Sequence, residues 1–219
     1  DSIYKLGKLL NEHNLTKGVT IATQSNDPET LRNVKRESIK LSIYKNLQRK
    51  FNEANIPVYT ELILGLPGET YQSFLRGIEE TLKSGLKNQL VVYICQVFPN
   101  TELADMEYQR KFKISTVRVP INEIHCSVHT KEDIIEYEDI VVSTASMPVE
   151  DWKRAVVISW VMQLFHGLKL GFFILAYLVD RYHIKYTDFF EYIGLLRMKS
   201  ENVKVLKNEV LAFYDLVDS

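Results

Sequence analysis

The chain has 219 residues, which is enough for one large domain or two small ones. Hydrophobic residues make up 46% of the chain and its formal net charge is −1, as in an ordinary globular protein with a buried core. This charge gives no support for a nucleic-acid partner held by bulk electrostatic attraction. The sequence has two cysteines and no recognisable signal peptide, which predicts a reducing cytoplasmic location.

Helices and strands alternate in the first half of the predicted structure. A helix over 3–13 precedes a strand over 19–25, and Asp27 and Pro28 suit the cap and first position of the next helix. A longer helix follows and ends at Asn55, and its predicted apolar face repeats every four residues: Ile39, Ile43, Leu47 and Phe51.

Two further strands follow in the same alternating pattern. The strand that starts after Pro57 leads into the turn Gly65-Leu66-Pro67-Gly68, and then into a helix that Ser84-Gly85 ends. Residues 90–98 are nearly all apolar, which is typical of a parallel strand buried on both faces. Strand–helix alternation predicts an α/β fold with parallel strands, and three such strands would form half of a six-stranded partial barrel.

The pattern changes after residue 100. Residues 103–112 predict a short helix, and residues 113–145 an extended segment or a small hairpin, with its clearest strand at 137–144. Residues 149–218 predict helices. We therefore divide the chain into an α/β region over 1–112 and a C-terminal extension over 113–219.

An apolar segment over 155–179 is long enough to suggest membrane contact. Polar residues near its middle are costly in lipid, namely Gln163, His166 and Lys169, and Gly167 and Gly171 suggest a break between two helices. A buried helix pair is the favoured interpretation. Membrane contact and a surface that another part of the protein covers remain alternatives.

Glu61 is the one charged residue in the apolar strand after Pro57. A lone carboxylate in a strand otherwise suited to a barrel interior is costly unless it binds something. The turn that follows lies where α/β proteins place ligands, at the carboxyl end of a strand. It lacks the Lys-Ser/Thr pair of a phosphate-binding loop.

This stretch, from Val58 to Thr70, resembles a late barrel strand of the radical S-adenosylmethionine (SAM) enzymes. Those near coproporphyrinogen oxidase, the methylthiotransferases and the cobalamin-binding Fe-S oxidoreductases are most similar. Three features before Glu61 have spacings that are typical of the family: a strand that ends in Gln24-Ser25, a helix start at Asn26-Asp27-Pro28-Glu29, and Arg36. The passage from Tyr137 to Trp152 favours the cobalamin-binding branch.

The resemblance implies a set of residues that bind SAM. Glu61 and Gln24 would contact the ribose hydroxyl groups, and Arg36 would hold the methionine carboxylate. Ile63, on the same strand face as Glu61, would pack on adenine. The strand around Cys95 and Gln96 corresponds to the one whose backbone reads the adenine edge. Taken singly, Arg36 could be a solvated residue of a charged helix, and Gln24 could be a hydrogen-bonding loop residue at a strand end.

The family's Cys-x3-Cys-x2-Cys loop, which ligates a [4Fe-4S] cluster, does not occur in this sequence, whose two cysteines are Cys95 and Cys126. We therefore interpret the chain as the C-terminal portion of a longer enzyme, inactive by itself. The N-terminal portion of the same polypeptide would carry the cluster loop, and the enzyme could also bind cobalamin. This chain would supply part of the SAM site and a C-terminal cap over an unidentified substrate.

One alternative to this function remains open. The chain could be a non-catalytic α/β binding or assembly module of the same ancestry.

His125, Cys126 and His129 resemble a metal site, but they lack a fourth ligand and are better explained as a polar loop, so no metal is predicted. Cys95 is expected to be a small buried residue. The substrate and the reaction, whether methylation, methylthiolation, ring rearrangement or oxidation, are left open.

Overall fold

A three-stranded parallel sheet lies at the centre of the fold, and its strands are, in spatial order, β1 (Val19–Gln24), β2 (Val58–Leu64) and β3 (Leu90–Ile94). The computed structural model describes residues 2–37, 39–121 and 135–195. Val19 of β1 is in register with Val58 of β2, and Thr60 of β2 with Leu90 of β3. The α/β fold class with parallel strands is confirmed.

Helices connect these strands, and a hairpin and further helices follow them. The helices of the first part are α1 (Ser2–Glu12), α2 (Pro28–Asn33), α3 (Leu41–Glu53), α4 (Tyr71–Lys83) and α5 (Met106–Phe112), with a short 3-10 helix at Glu102–Ala104. The later elements are β4 (Ser115–Pro120), β5 (Tyr137–Ser143), α6 (Val149–Met162), a π-helical turn (Gln163–Gly167), α7 (Phe172–Tyr182) and α8 (Tyr186–Leu195).

Side-chain caps fix where the helices of the α/β region begin. The Asp27 carboxylate accepts a hydrogen bond from the Thr30 amide at 2.9 Å, and Pro28 follows it in the first turn of α2. Thr70 and Ser73 cap α4 reciprocally, each side chain accepting from the other's backbone amide. These caps begin both helices a few residues after a strand.

Burial alternates along β2 and separates the two faces of the sheet. Val58, Thr60, Leu62 and Leu64 are buried, whereas Tyr59, Glu61 and Ile63 are only half-buried. The apolar residues of the buried face belong to a core shared with α3, α4 and α6. The prediction that β3 is buried on both faces is wrong for this chain, because Tyr93 is 53% exposed.

The buried face of α3 differs from the predicted one. The helix begins at Leu41, so Ile39 lies before it, and Ile43 is 49% exposed. The side chains that face the sheet are Tyr44, Leu47, Gln48 and Phe51. Leu47 and Phe51 are buried as predicted, but four-residue apolar spacing misses Tyr44 and Gln48. These two side chains are buried together, and the Gln48 amide donates to Tyr44 Oη at 2.9 Å.

The hairpin of β4 and β5 packs onto the carboxyl end of β3. Its strands are antiparallel, with Val119 opposite Glu138. The Val97 amide donates to the Asp139 carbonyl at 2.8 Å, and the Val141 amide donates to the Cys95 carbonyl at 2.8 Å. The second strand of the hairpin therefore continues the sheet beyond the end of β3.

The C-terminal helices pack against α4 and against each other. Helix α6 is largely buried, with Trp152 and Ile158 fully enclosed, and one core cluster joins Ile21 of β1 to Phe190 of α8. The predicted domain boundary at residue 112 stays a prediction. The predicted helix end at 218 lies outside the described residues.

Helix α7 departs from the buried helix pair that the apolar segment predicts. Leu175 is its one buried residue, and Phe173 is 82% exposed. The break predicted at Gly167 and Gly171 is present between α6 and α7. No single helix of the described ranges is long and apolar enough to cross a membrane; Val149–Gly167 and Phe172–Tyr182 together meet those two criteria but are bent by 98°.

Glu79 joins α4 to the first turn of α8, so its replacement by alanine should destabilise the fold. The Thr187 amide donates to Glu79 Oε2 at 3.0 Å, and both residues are buried. Losing this acceptor leaves a buried amide unsatisfied, at a cost of about 2 kcal/mol in the free energy of unfolding. Urea denaturation measures the change, with Glu53→Ala at an exposed ion pair as the control. An equal, small effect in both variants would contradict the assignment.

Candidate functional site

A cavity of about 700 Å³ lies at the carboxyl ends of the three parallel strands. Each strand contributes to its lining, and the loop after α2 and the β4–β5 hairpin close its sides. All the residues predicted to bind a cofactor line this one cavity: Gln24, Arg36, Glu61, Ile63, Cys95 and Gln96. The structure therefore brings together side chains that are up to 72 positions apart, from position 24 to position 96.

Glu61 and Ile63 reach the cavity because they share a face of β2. Side chains alternate along a strand, so the two point away from the core that Leu62 and Leu64 enter. Glu61 is half-buried rather than buried, and among the described residues no cation pairs with it. It presents a carboxylate beside the apolar surface of Ile63.

A bulge at the end of β1 places Gln24 in the same cavity. The register with β2 shifts between Ala22 and Gln24, and Gln24 has a left-handed φ of 62°. Thr23 points to the buried face, whereas Ala22 and Gln24 line the cavity. The Gln24 amide can both donate and accept hydrogen bonds there.

Arg36 lies in the loop between α2 and α3, not on a helix as predicted. Helix α2 ends at Asn33, and Lys35 has a left-handed φ of 53°. The Arg36 amide donates to the Leu31 carbonyl at 2.9 Å, which folds the loop back over the end of the helix. The guanidinium side chain is exposed and borders the cavity.

The Gly65-Leu66-Pro67-Gly68 turn is tied to the loop that carries Arg36. Asn33 Nδ2 donates to the Pro67 carbonyl at 3.1 Å, and Tyr108 Oη donates to the Asn33 carbonyl at 2.8 Å. Gly68 has a φ of 95°, and a Cβ there would lie 2.2 Å from Asn33 Nδ2. Only glycine therefore allows this contact between turn and loop.

Ser25 and Glu69 form a buried pair behind the cavity that the sequence does not reveal as a pair. Ser25 Oγ donates to Glu69 Oε1 at 2.6 Å, and Glu69 is 2% exposed. Burial raises the pKa of Glu69 from 4.5 to about 8. The hydrogen bond from Ser25 lowers this pKa, and the negative charge of Asp27 raises it by a smaller amount. This pair joins the end of β1 to the turn after β2.

The hairpin adds one charged residue that the prediction does not include. Glu138 of β5 lines the cavity and accepts a hydrogen bond from Gln96 Nε2. No described residue of α6, α7 or α8 lines this cavity, and the predicted C-terminal cap over a substrate stays a prediction. Those helices pack on the opposite, core side of the sheet.

Two curated relatives are similar to nearly the whole chain. The cobalamin-dependent radical SAM methyltransferase TokK from Streptomyces tokunonensis is 31% identical over 191 residues, which are 87% of this chain and 28% of TokK. The 2-(S-pantetheinyl)-carbapenam-3-carboxylate methyltransferase of Streptantibioticus cattleyicolor is 31% identical over 193 residues, with the same coverage. The chain belongs to the radical SAM superfamily.

No protein-family model matches the chain. The structure of the radical SAM methyltransferase TsrM from Kitasatospora setae, bound to tryptophan and a SAM analogue, is similar with a TM-score of 0.47 and 15% identity, over 73% of this chain and 34% of TsrM. The radical SAM chain spans about 28% of the length of the curated relatives.

The described residues of this radical SAM chain do not fit an iron-sulfur cluster. They contain one cysteine, Cys95, which is 3% exposed. Burial raises the pKa of its thiol to about 12, opposite to the shift that a metal-ligating thiolate needs. No group of three metal-ligating side chains is present in the described ranges. The predicted polar loop with His125, Cys126 and His129 lies outside them.

Proposed function

We propose that this chain is the SAM-binding portion of a cobalamin-dependent radical SAM methyltransferase. Its three parallel strands would be the last three of a partial (β/α)6 barrel, completed by the N-terminal portion of the same polypeptide. The observation that carries the proposal is the shared cavity: six residues chosen from the sequence line one space at the carboxyl ends of adjacent strands.

The ribose diol, the methionine carboxylate and the adenine ring of SAM have suitable partners in this cavity. A carboxylate accepts two hydrogen bonds, so Glu61 suits the ribose diol, and Gln24 at the neighbouring strand end can supply a second ribose contact. The Arg36 guanidinium matches the planar methionine carboxylate as a two-pronged donor. Ile63 supplies an apolar surface for the adenine ring.

The charge of the cavity also suits this ligand. Among the described residues, three charged side chains line the cavity, Arg36, Glu61 and Glu138, and their formal charges add to −1. SAM carries a sulfonium and an ammonium cation against one carboxylate, so its net charge is opposite to that of the lining. Electrostatic complementarity therefore favours binding and orients the carboxylate of the ligand toward Arg36.

The cluster and cobalamin are assigned to other residues of the full-length enzyme. In the superfamily the reduced [4Fe-4S] cluster supplies the electron that cleaves SAM, and Cys95 does not fit as its ligand. The role of this chain is to bind SAM, to orient it through Arg36 and Glu61, and to enclose it with the β4–β5 hairpin. Methyl transfer to an unidentified substrate is the proposed reaction.

Arg36→Gln in the full-length protein should weaken SAM binding about tenfold, because a charge-assisted, two-pronged contact is lost at an exposed site. Calorimetric titration with SAM measures the affinity. Arg32→Gln is the matched control, because Arg32 is an exposed arginine of α2 that does not line the cavity. Equal affinities of both variants, or no SAM binding by the wild-type protein, would refute the proposal.

A reading frame upstream of Asp1 that encodes Cys-x3-Cys-x2-Cys would support the catalytic interpretation. A start codon next to Asp1 would favour the alternative, a binding or assembly module. The two interpretations differ in electron chemistry, because only a protein with three closely spaced thiolates can hold the cluster.

A further inference from the structure

Gln96 and Glu138 form a side-chain pair inside the cavity. Gln96 Nε2 donates a hydrogen bond to Glu138 Oε2, and both residues are half-buried. The backbone holds them next to each other, since Gln96 forms an antiparallel bridge with Ile140. Hydrogen bonds on either side, from Val97 to Asp139 and from Val141 to Cys95, fix this register.

The pairing decides which end of the Gln96 amide a ligand meets. A free glutamine amide can turn over and offer either its NH₂ group or its oxygen. An ionised carboxylate has only acceptors, so it requires the NH₂ group of Gln96 and leaves the amide oxygen for the cavity. Among the described residues Glu138 has no ion pair that would draw it away from this contact.

We propose that Glu138 is a positioning residue that holds Gln96 as a fixed hydrogen-bond acceptor and thereby selects the 6-amino group of the adenine base. The proposal rests on the proposed function, in which Glu61 and Gln24 take the ribose and Arg36 takes the methionine carboxylate. Tyr93 and Gln96 also line the cavity and are not used by these contacts, and the Gln96 amide oxygen is the acceptor that the pairing with Glu138 holds in place. The amino group is the donor that the adenine ring offers to this oxygen.

The test uses the full-length protein, SAM, and the SAM analogue in which hypoxanthine replaces adenine. The analogue carries an oxygen in place of the 6-amino group. This oxygen is an acceptor and cannot form a hydrogen bond with the Gln96 amide oxygen, which is also an acceptor. Wild-type protein should bind SAM about tenfold more tightly than the analogue, the effect of one lost hydrogen bond. Calorimetric titration gives both dissociation constants.

Glu138→Gln should bring the ratio of the two dissociation constants close to one. A glutamine at 138 can donate or accept, so the Gln96 amide becomes free to turn its NH₂ group toward the analogue. Glu136→Gln is the matched control, because Glu136 is exposed, lies two positions away and does not line the cavity. Glu138→Asp retains an acceptor-only side chain and should retain a preference for SAM.

Each outcome separates this inference from the proposed function. Wild-type protein that does not bind SAM refutes the proposed function. Wild-type protein that binds SAM, with a ratio that stays unchanged in Glu138→Gln, refutes the inference alone. A merely structural role of Glu138 would lower the melting temperature and weaken both ligands equally, which leaves the ratio unchanged and also counts against the inference.

Discussion

Replacing Glu61 with alanine in the full-length protein should weaken SAM binding about a hundredfold, because two hydrogen bonds between the carboxylate and the ribose diol are lost. Each of these bonds is worth roughly 1.5–3 kcal/mol, and water that enters the site replaces part of that energy. The Glu61 side chain lines the cavity beside Ile63 and is only half-buried. Glu61→Gln keeps the shape and one acceptor, so its affinity should fall between those of wild type and Glu61→Ala.

The same substitution should leave the fold intact. Glu61 points away from the core, and among the described residues it has no ion pair whose loss would destabilise the sheet. Thermal melts without SAM should therefore give an unchanged or slightly higher melting temperature, and Glu107→Ala, at an exposed residue outside the cavity, serves as the control. Unchanged SAM affinity with a sharply lower melting temperature would show that Glu61 is a structural residue.

The placement of Gln24, Glu61 and Ile63 is predictable from local rules. Apolar runs separated by helices indicate parallel strands, and the carboxyl ends of parallel strands meet at one edge of the sheet. The period of two then puts Glu61 and Ile63 on the same face. These inferences need only residues close together in the sequence, and the resemblance to a family supplies the expected ligand.

Features that depend on long-range packing escape the same reasoning. Arg36 lies in the loop after α2, whose last residue, Asn33, is hydrogen-bonded to Pro67 and Tyr108, 34 and 75 positions away in the sequence. Glu138 reaches the cavity because β5 returns antiparallel onto the end of β3, and no local signal sets that register. The exposure of α7 likewise depends on which neighbours cover it, not on its own apolar composition.

The buried carboxyl group of Glu69 should make the fold lose stability as the pH rises. Its pKa has the ordinary value of 4.5 in the unfolded chain and rises to about 8 in the folded chain, because burial disfavours the charged form. The folded protein therefore holds a proton that the unfolded chain releases between these values. The stabilisation is fully present below pH 4.5 and is lost as the pH rises toward 8, by an amount on the order of 4 kcal/mol.

Glu69→Gln removes this titration while keeping the hydrogen bond from Ser25, because the glutamine oxygen can accept it as Oε1 does. Urea denaturation at a series of pH values from 5 to 8 should show a variant that becomes progressively more stable than wild type. Glu107→Gln, at an exposed position, corrects for the charge change alone. Wild-type and Glu69→Gln curves that run parallel across this range would mean that Glu69 is ionised in the folded protein.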